Sequence, residues 1–149
     1  MQTVAGLIAV VLGAIAVLHV YWGFGGVWPG TDRKSCARAV AGFRGIDRMP
    51  PPAACFAVAA GLASIALSGL VLTGLIAAPF LPAVYVRAMV LIAGLVFLAR
   101  GTLGFTPFWR RLTPEIPFAR NDMRWFSPLC LLVGAGLLYL AAPMDAWRF

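Results

Sequence analysis

Four long apolar runs, parted by stretches that hold nearly every charge, constrain this chain more than any other feature. A helix crosses the hydrocarbon core of a bilayer with about 20 mostly apolar residues. The first run extends from about Thr3 to Trp22 without a charged side chain. The second covers about 53–77 and is opened by Pro50, Pro51 and Pro52. The third covers about 82–100 with Arg87 inside it, and the fourth about 126–142.

Composition closes off the alternatives. Only 11% of the 149 residues are charged and 62% are hydrophobic, with a mean hydropathy of +0.91. Soluble domains carry about 25% charged residues, so a water-soluble globule, a disordered chain and a coiled coil are all excluded. The sequence predicts an all-α fold, an integral membrane four-helix bundle forming one transmembrane domain over 1–149. The first run has no basic segment before it and no small-x-small site at its end, so it reads as a retained span, not a cleaved signal.

Charge sets the expected orientation. Eleven of the twelve basic residues are Arg, in an alanine-rich chain, which points to a bacterial source. The first long loop carries Arg33, Lys34, Arg38, Arg44 and Arg48. The second begins at Arg100 and adds Arg110, Arg111, Arg120 and Arg124. The 76–81 connection has no charge, and only Arg148 and the embedded Arg87 are left for the other side. The positive-inside rule then predicts both basic loops in the cytoplasm and both termini outside, in the bacterial inner membrane. The net charge of +7 belongs to these loops, and no nucleic-acid partner is expected. Their partners are membrane lipids, with guanidinium groups on anionic headgroups.

The same residues set packing expectations. Gly6, Ala9, Gly13 and Ala16 form a small-residue stripe on the first span, where another helix could approach closely. Ala57, Gly61, Ser64 and Ser68 repeat it on the second span, and Gly134 and Gly136 on the fourth. Segment 31–43 reads as a short helix on the membrane surface, with Cys36, Ala39, Val40 and Phe43 on its apolar face. Trp22, Trp28, Trp109 and Trp125 read as an aromatic belt, with Trp147 as its outer counterpart. Arg87 is expected to pair with Asp145.

The polar side chains gather at one predicted depth. His19, Cys55, Arg100, Ser127 and Cys130 lie near the loop-side ends of the spans, with Asp122 just before the fourth. The candidate ligand-binding set is His19, Trp22, Trp28, Arg100, Asp122, Ser127 and Cys130. Each has an ordinary alternative: a lone histidine near a helix end is most often a hydrogen-bonded interfacial residue. Arginine can snorkel to phosphates, and buried cysteines behave as small hydrophobes. Ionisable groups inside spans are nevertheless functional candidates. Three cysteines without a Cys-x-x-Cys give neither a disulfide framework nor a metal site, and no cofactor is expected.

The densest motif runs His19-Val20-Tyr21-Trp22-Gly23-Phe24-Gly25-Gly26-Val27-Trp28-Pro29-Gly30. It lacks the dinucleotide-binding spacing. Together with Arg100-Gly101 and Phe126-Ser127-Pro128-Leu129-Cys130-Leu131, it resembles a bacterial family of small four-span membrane proteins, domain of unknown function 3995. The resemblance covers most of the chain and implies fold and location, but no chemistry. The family pattern has a tyrosine before the Ser-Pro pair, where this chain has Phe126, so any role of that hydroxyl is absent here.

Two functional readings emerge. One is a bundle binding a lipid-like amphipathic molecule at its cytoplasmic mouth, with Arg100 on an anionic group, His19 hydrogen-bonding and the Trp rings lining an apolar slot. The other is a non-enzymatic accessory or assembly subunit, either a homo-oligomer or docked to other membrane subunits. A transporter is disfavoured by the apolar midplane.

Overall fold

The computed structural model describes residues 1–142, and among these all regular structure is helical. Four helices are long and apolar enough to cross a membrane: α1 (Gln2–Gly23), α3 (Pro52–Leu72), α4 (Ala83–Leu103) and the continuous helical stretch Phe118–Ala141. That stretch comprises α6 (Phe118–Asn121), a π-helical turn (Asp122–Phe126) and α7 (Ser127–Ala141). Two short helices, α2 (Arg33–Val40) and α5 (Pro107–Leu112), lie in the long loops.

The ends of the spans differ from the sequence expectations for local reasons. Helix α3 stops at Leu72, five residues early, because Gly74 takes φ +73. Its N–H donates to the Val71 carbonyl and that of Leu75 to the Leu70 carbonyl, a Schellman closure. Helix α4 continues three residues beyond Arg100, which places Arg100 inside a helix instead of at its end. The last helix starts at Phe118, eight residues before the expected 126. Its polar first turns stay helical because Asp122 finds partners in Arg100, Trp109 and Ser127. Pro128 lacks the N–H that a regular turn would use, and the π turn directly before it absorbs that loss.

The bundle consists of two antiparallel pairs. Helix α1 runs along α3 and α4 along α7, while the α3–α4 and α1–α7 seams are slighter. The shared core contains Ala5, Ile8 and Leu12 of α1, Ala66 of α3, Val90 and Ala93 of α4, and Val133, Leu137 and Leu140 of α7. It occupies the half of the bundle away from the long loops.

Close backbone approach falls on the α4–α7 seam. A Cβ on Gly134 would lie 2.8 Å from the Leu98 nitrogen and 2.9 Å from the Gly94 carbonyl oxygen. On the α1–α7 seam, one on Gly136 would lie 2.8 Å from the side-chain atom Ile8 Cδ1. The α1 stripe behaves differently: nothing lies within 4 Å of a Cβ built on Gly6 or Gly13, and Gly61 of α3 is equally open. Of the stripe, Ala16 is buried and Ala9 packs in part against the core, and α1 otherwise buries Ala5, Ile8 and Leu12.

Candidate functional site

The long loops fold onto each other at one end of the bundle. Helix α2 starts at Asp32, whose carboxylate accepts the Ser35 backbone N–H at 2.8 Å. The Ser35 hydroxyl reciprocates by accepting the Asp32 N–H, which completes a capping box. The Ser35 backbone N–H, and then the Ser35 hydroxyl that donates to the same carboxylate, hold the Asp32 carboxyl below its ordinary value. The apolar face of α2 is packed into the protein: Cys36, Ala37 and Ala39 are buried, whereas Phe43 beyond the helix is exposed. Burial pushes the Cys36 thiol up.

Glu115 joins the two loops. One carboxylate oxygen accepts the Gly45 N–H at 2.9 Å and the other meets Arg38 Nε at 3.3 Å. Backbone bonds reinforce the seam, from Arg44 N to the Leu112 carbonyl and from Glu115 N to the Gly42 carbonyl. Gly42, at φ +67, lies so close to the Phe118 ring that a Cβ has no room.

The seven expected ligand residues fall into two groups. Arg100, Asp122 and Ser127 meet between α4 and the π turn. Arg100 Nη2 donates to Asp122 Oδ1 at 2.5 Å, and Nη1 donates to Ser127 Oγ at 3.3 Å. The Ser127 hydroxyl donates to the same carboxylate oxygen at 3.3 Å. Asp122 and Ser127 are completely buried. Trp109 completes the group: its Nε1–H donates to Asp122 Oδ2 at 3.0 Å, and the Arg100 guanidinium lies 4.7 Å from its ring centroid. Cys130 lies one helical turn beyond Ser127 and is half-buried. The sequence suggests an aromatic belt for Trp109, whereas its ring packs inside this network. Gly104 makes the approach possible, because a Cβ there would overlap Ser127 Oγ.

The second group is His19, Trp22 and Trp28. His19 Nδ1 donates to the Ile15 carbonyl at 2.8 Å. The imidazole meets the Trp22 ring edge-on at 5.0 Å. Trp22 Nε1 donates to the Trp28 carbonyl at 2.7 Å and so closes the glycine-rich turn after α1. Gly25 needs its freedom there, with φ +89, and Gly26 is required because a Cβ would overlap the Tyr21 ring. Among the described residues no hydrogen bond, ion pair or ring contact links this group to the Arg100 group.

Beside the glycine turn lies a cleft of about 480 Å³, lined by Trp22, Gly23, Phe24, Gly25, Gly26, Arg33 and the 48–52 segment. Neither Arg33 nor Arg48 belongs to an ion pair; those among the described residues are Arg38–Glu115 and Arg100–Asp122. From sequence these two arginines register only as loop charge. The pieces of the cleft come from separate stretches of the chain, and no local pattern joins them. Cys55 is buried near the start of α3. Arg87 donates to the Ala141 carbonyl at 3.5 Å, while its expected partner Asp145, like Trp147, lies outside the described residues. No cluster of three or more His, Cys, Asp or Glu side chains suited to a metal occurs among the described residues.

Four apolar helices and a loop cap rich in Arg and Trp define a chain built as a multi-pass membrane protein. It belongs to the family described as "Protein of unknown function (DUF3995)", which matches residues 12–137, from within α1 to α7. No curated protein and no solved structure matches the chain.

Proposed function

We propose that this protein binds a lipid-like amphipathic molecule at the loop-bearing end of its bundle, in the bacterial cytoplasmic membrane with both long loops inside. The observation that carries the reading is the cleft beside Trp22, where aromatic rings and a tight glycine turn meet two arginines without acidic partners. It lies where α1 ends and α3 begins, so an occupant would have its polar part in the interface and its apolar part among helices. The basic loops support the sidedness. His19 supports the wall by packing on Trp22. Nucleophilic catalysis finds no support, since the buried Ser127 hydroxyl faces a carboxylate and an arginine with no histidine among its hydrogen-bond partners.

Native mass spectrometry of the gently extracted protein tests this. A stoichiometric small amphipath, lost on Trp22→Ala, is the expected result. A protein that carries none in any mild detergent would overturn it.

A second reading, an accessory subunit docked to other membrane helices, draws on the open glycines Gly6, Gly13 and Gly61. Backbone left uncovered in this way suits close helix–helix contact in lipid. Copurification of a stoichiometric membrane subunit that Gly13→Leu releases would favour it, and a strictly lone monomer would remove it.

A further inference from the structure

The cleft beside Trp22 has a polarity that specifies its ligand more closely than "amphipath", and a ligand assignment there rests on the amphipath reading. Its cationic lining is Arg33, the first residue of α2, and Arg48, shortly before the proline run Pro50–Pro52 that leads into α3. Arg33 Nη2 lies 3.8 Å from the point where a Cβ on Gly25 would stand, so its guanidinium lies beside the glycine turn. The neighbouring acids do not neutralise the pair. Asp32 is engaged by Ser35, and neither Asp32 nor Asp47 lies within ion-pair distance of an arginine. Arg100, the arginine expected from sequence to hold an anion, is already committed to Asp122.

Apolar surface completes the surroundings of the cleft. The Phe24 and Phe56 rings pack edge-on at 5.2 Å, with Phe56 also against Gly23. Phe24, just past the end of α1, is 81% exposed. Two guanidinium groups and exposed aromatic surface around one cleft match one chemistry: a phosphate at the arginines and hydrocarbon leaving past the rings.

We propose that Arg33 and Arg48 bind the phosphate of an anionic phospholipid headgroup in this cleft, with the acyl chains leaving along Phe24 and Phe56. The glycine turn shapes the wall: Gly25 takes φ +89, and a Cβ on Gly26 would overlap the Tyr21 ring.

The test uses the full chain in nanodiscs containing equal amounts of phosphatidylglycerol and phosphatidylcholine, followed by native mass spectrometry of the lipids that stay bound. The wild-type protein should retain one phosphatidylglycerol with a preference on the order of tenfold, the scale expected for two arginines at an interface. The Arg33→Gln/Arg48→Gln double variant should lose that preference, and Arg33→Lys/Arg48→Lys should keep part of it. A charge-matched control, Arg120→Gln/Arg124→Gln in the first turns of the last helix, should leave it intact. Equal losses in the cleft and control variants would overturn the proposal in favour of bulk surface charge. Release of the lipid by millimolar inorganic phosphate would overturn the lipid source while keeping the anion chemistry. One retained lipid with no headgroup preference would overturn the phosphate assignment and leave the amphipath reading standing, whereas no retained lipid of either kind would remove both.

Discussion

Arg100 and Asp122 meet at 2.5 Å with unequal exposure: the Asp122 side chain is completely buried and that of Arg100 is 28% exposed. The carboxylate depends on the protein for every partner, and it has three: Arg100, Ser127 and the Trp109 indole. The guanidinium retains a route to water. This asymmetry anchors the second loop and the start of the last helix to the end of α4, in the half of the bundle that the apolar core does not reach.

Removing each partner should therefore cost different amounts. Arg100→Leu strands a buried carboxylate and should destabilise by about 3–5 kcal/mol, the range for breaking a buried pair. Asp122→Asn leaves an arginine that can turn to solvent, and should cost about 1–2 kcal/mol. The double variant should cost less than the sum of the two. Unfolding of the three proteins in one detergent, followed by circular dichroism, measures this, and an Asp122→Asn cost equal to that of Arg100→Leu would refute the asymmetry.

Glycine substitutions should separate the seams of the bundle. Gly134→Ala places a methyl group against the α4 backbone, which cannot yield as a side chain would, and should cost about 1–3 kcal/mol by overpacking. Gly13→Ala meets open space and should be neutral or stabilising by about 0.5–1 kcal/mol through helix propensity. Thermal unfolding of both variants ranks them, and a destabilised Gly13→Ala monomer would show that a neighbouring helix packs against this face of α1.

Glu115→Ala should loosen the loop cap without unfolding the spans. It removes the Arg38 contact and the acceptor of the Gly45 N–H. Partly exposed ion pairs are worth about 0–1 kcal/mol, so the global cost should be small. The local effect should be larger: trypsin cleavage after Arg44 and Arg48 should accelerate several-fold while the helical signal is retained. Unchanged cleavage would mean that the backbone bonds across the seam suffice by themselves.

What is legible in the sequence depends on how far each signal reaches along the chain. The spans are visible because about 20 apolar residues in a row is a property of a single segment. Their ends are less so: Gly74 closes α3 early through its own backbone angle, a signal that is present but outweighed by the apolar 75–77. The early start of the last helix is hidden, since Arg120, Asn121 and Asp122 look like loop until Arg100 and Trp109 are known to satisfy Asp122. Arg100, Asp122 and Ser127 share a depth in the sequence and do meet in space. Trp109 reads instead as a lipid-interface residue, because indole chemistry alone does not tell a belt from a buried donor. Small-residue spacing offers stripes on the first, second and fourth spans, and the tight approach falls at Gly134 of the fourth while Gly6, Gly13 and Gly61 stay open, because spacing defines a stripe and not what faces it. The cleft needs the fold, as its two arginines come from opposite ends of the first loop.

Asp32 gives the start of α2 a defined pH dependence. Its carboxyl lies below the ordinary 3.8 because the Ser35 backbone N–H, and then the Ser35 hydroxyl, favour the charged form. A folded value below the unfolded one means that the cap's contribution to α2 is fully present above the unfolded value. It is lost as the pH falls through the lowered folded value. The cap should thus be complete at neutral pH and at about pH 5, and should fail only in strong acid. The amide resonance of selectively labelled Ser35 reports it directly, and its acid midpoint should fall below 3.8. Asp32→Asn keeps an acceptor but has no proton to gain, so its Ser35 resonance should stay flat over the same range. A wild-type midpoint at or above the ordinary value would mean that the box is not formed in solution. Arg33, the next residue along, would then lose the fixed helix start that aims it at the cleft.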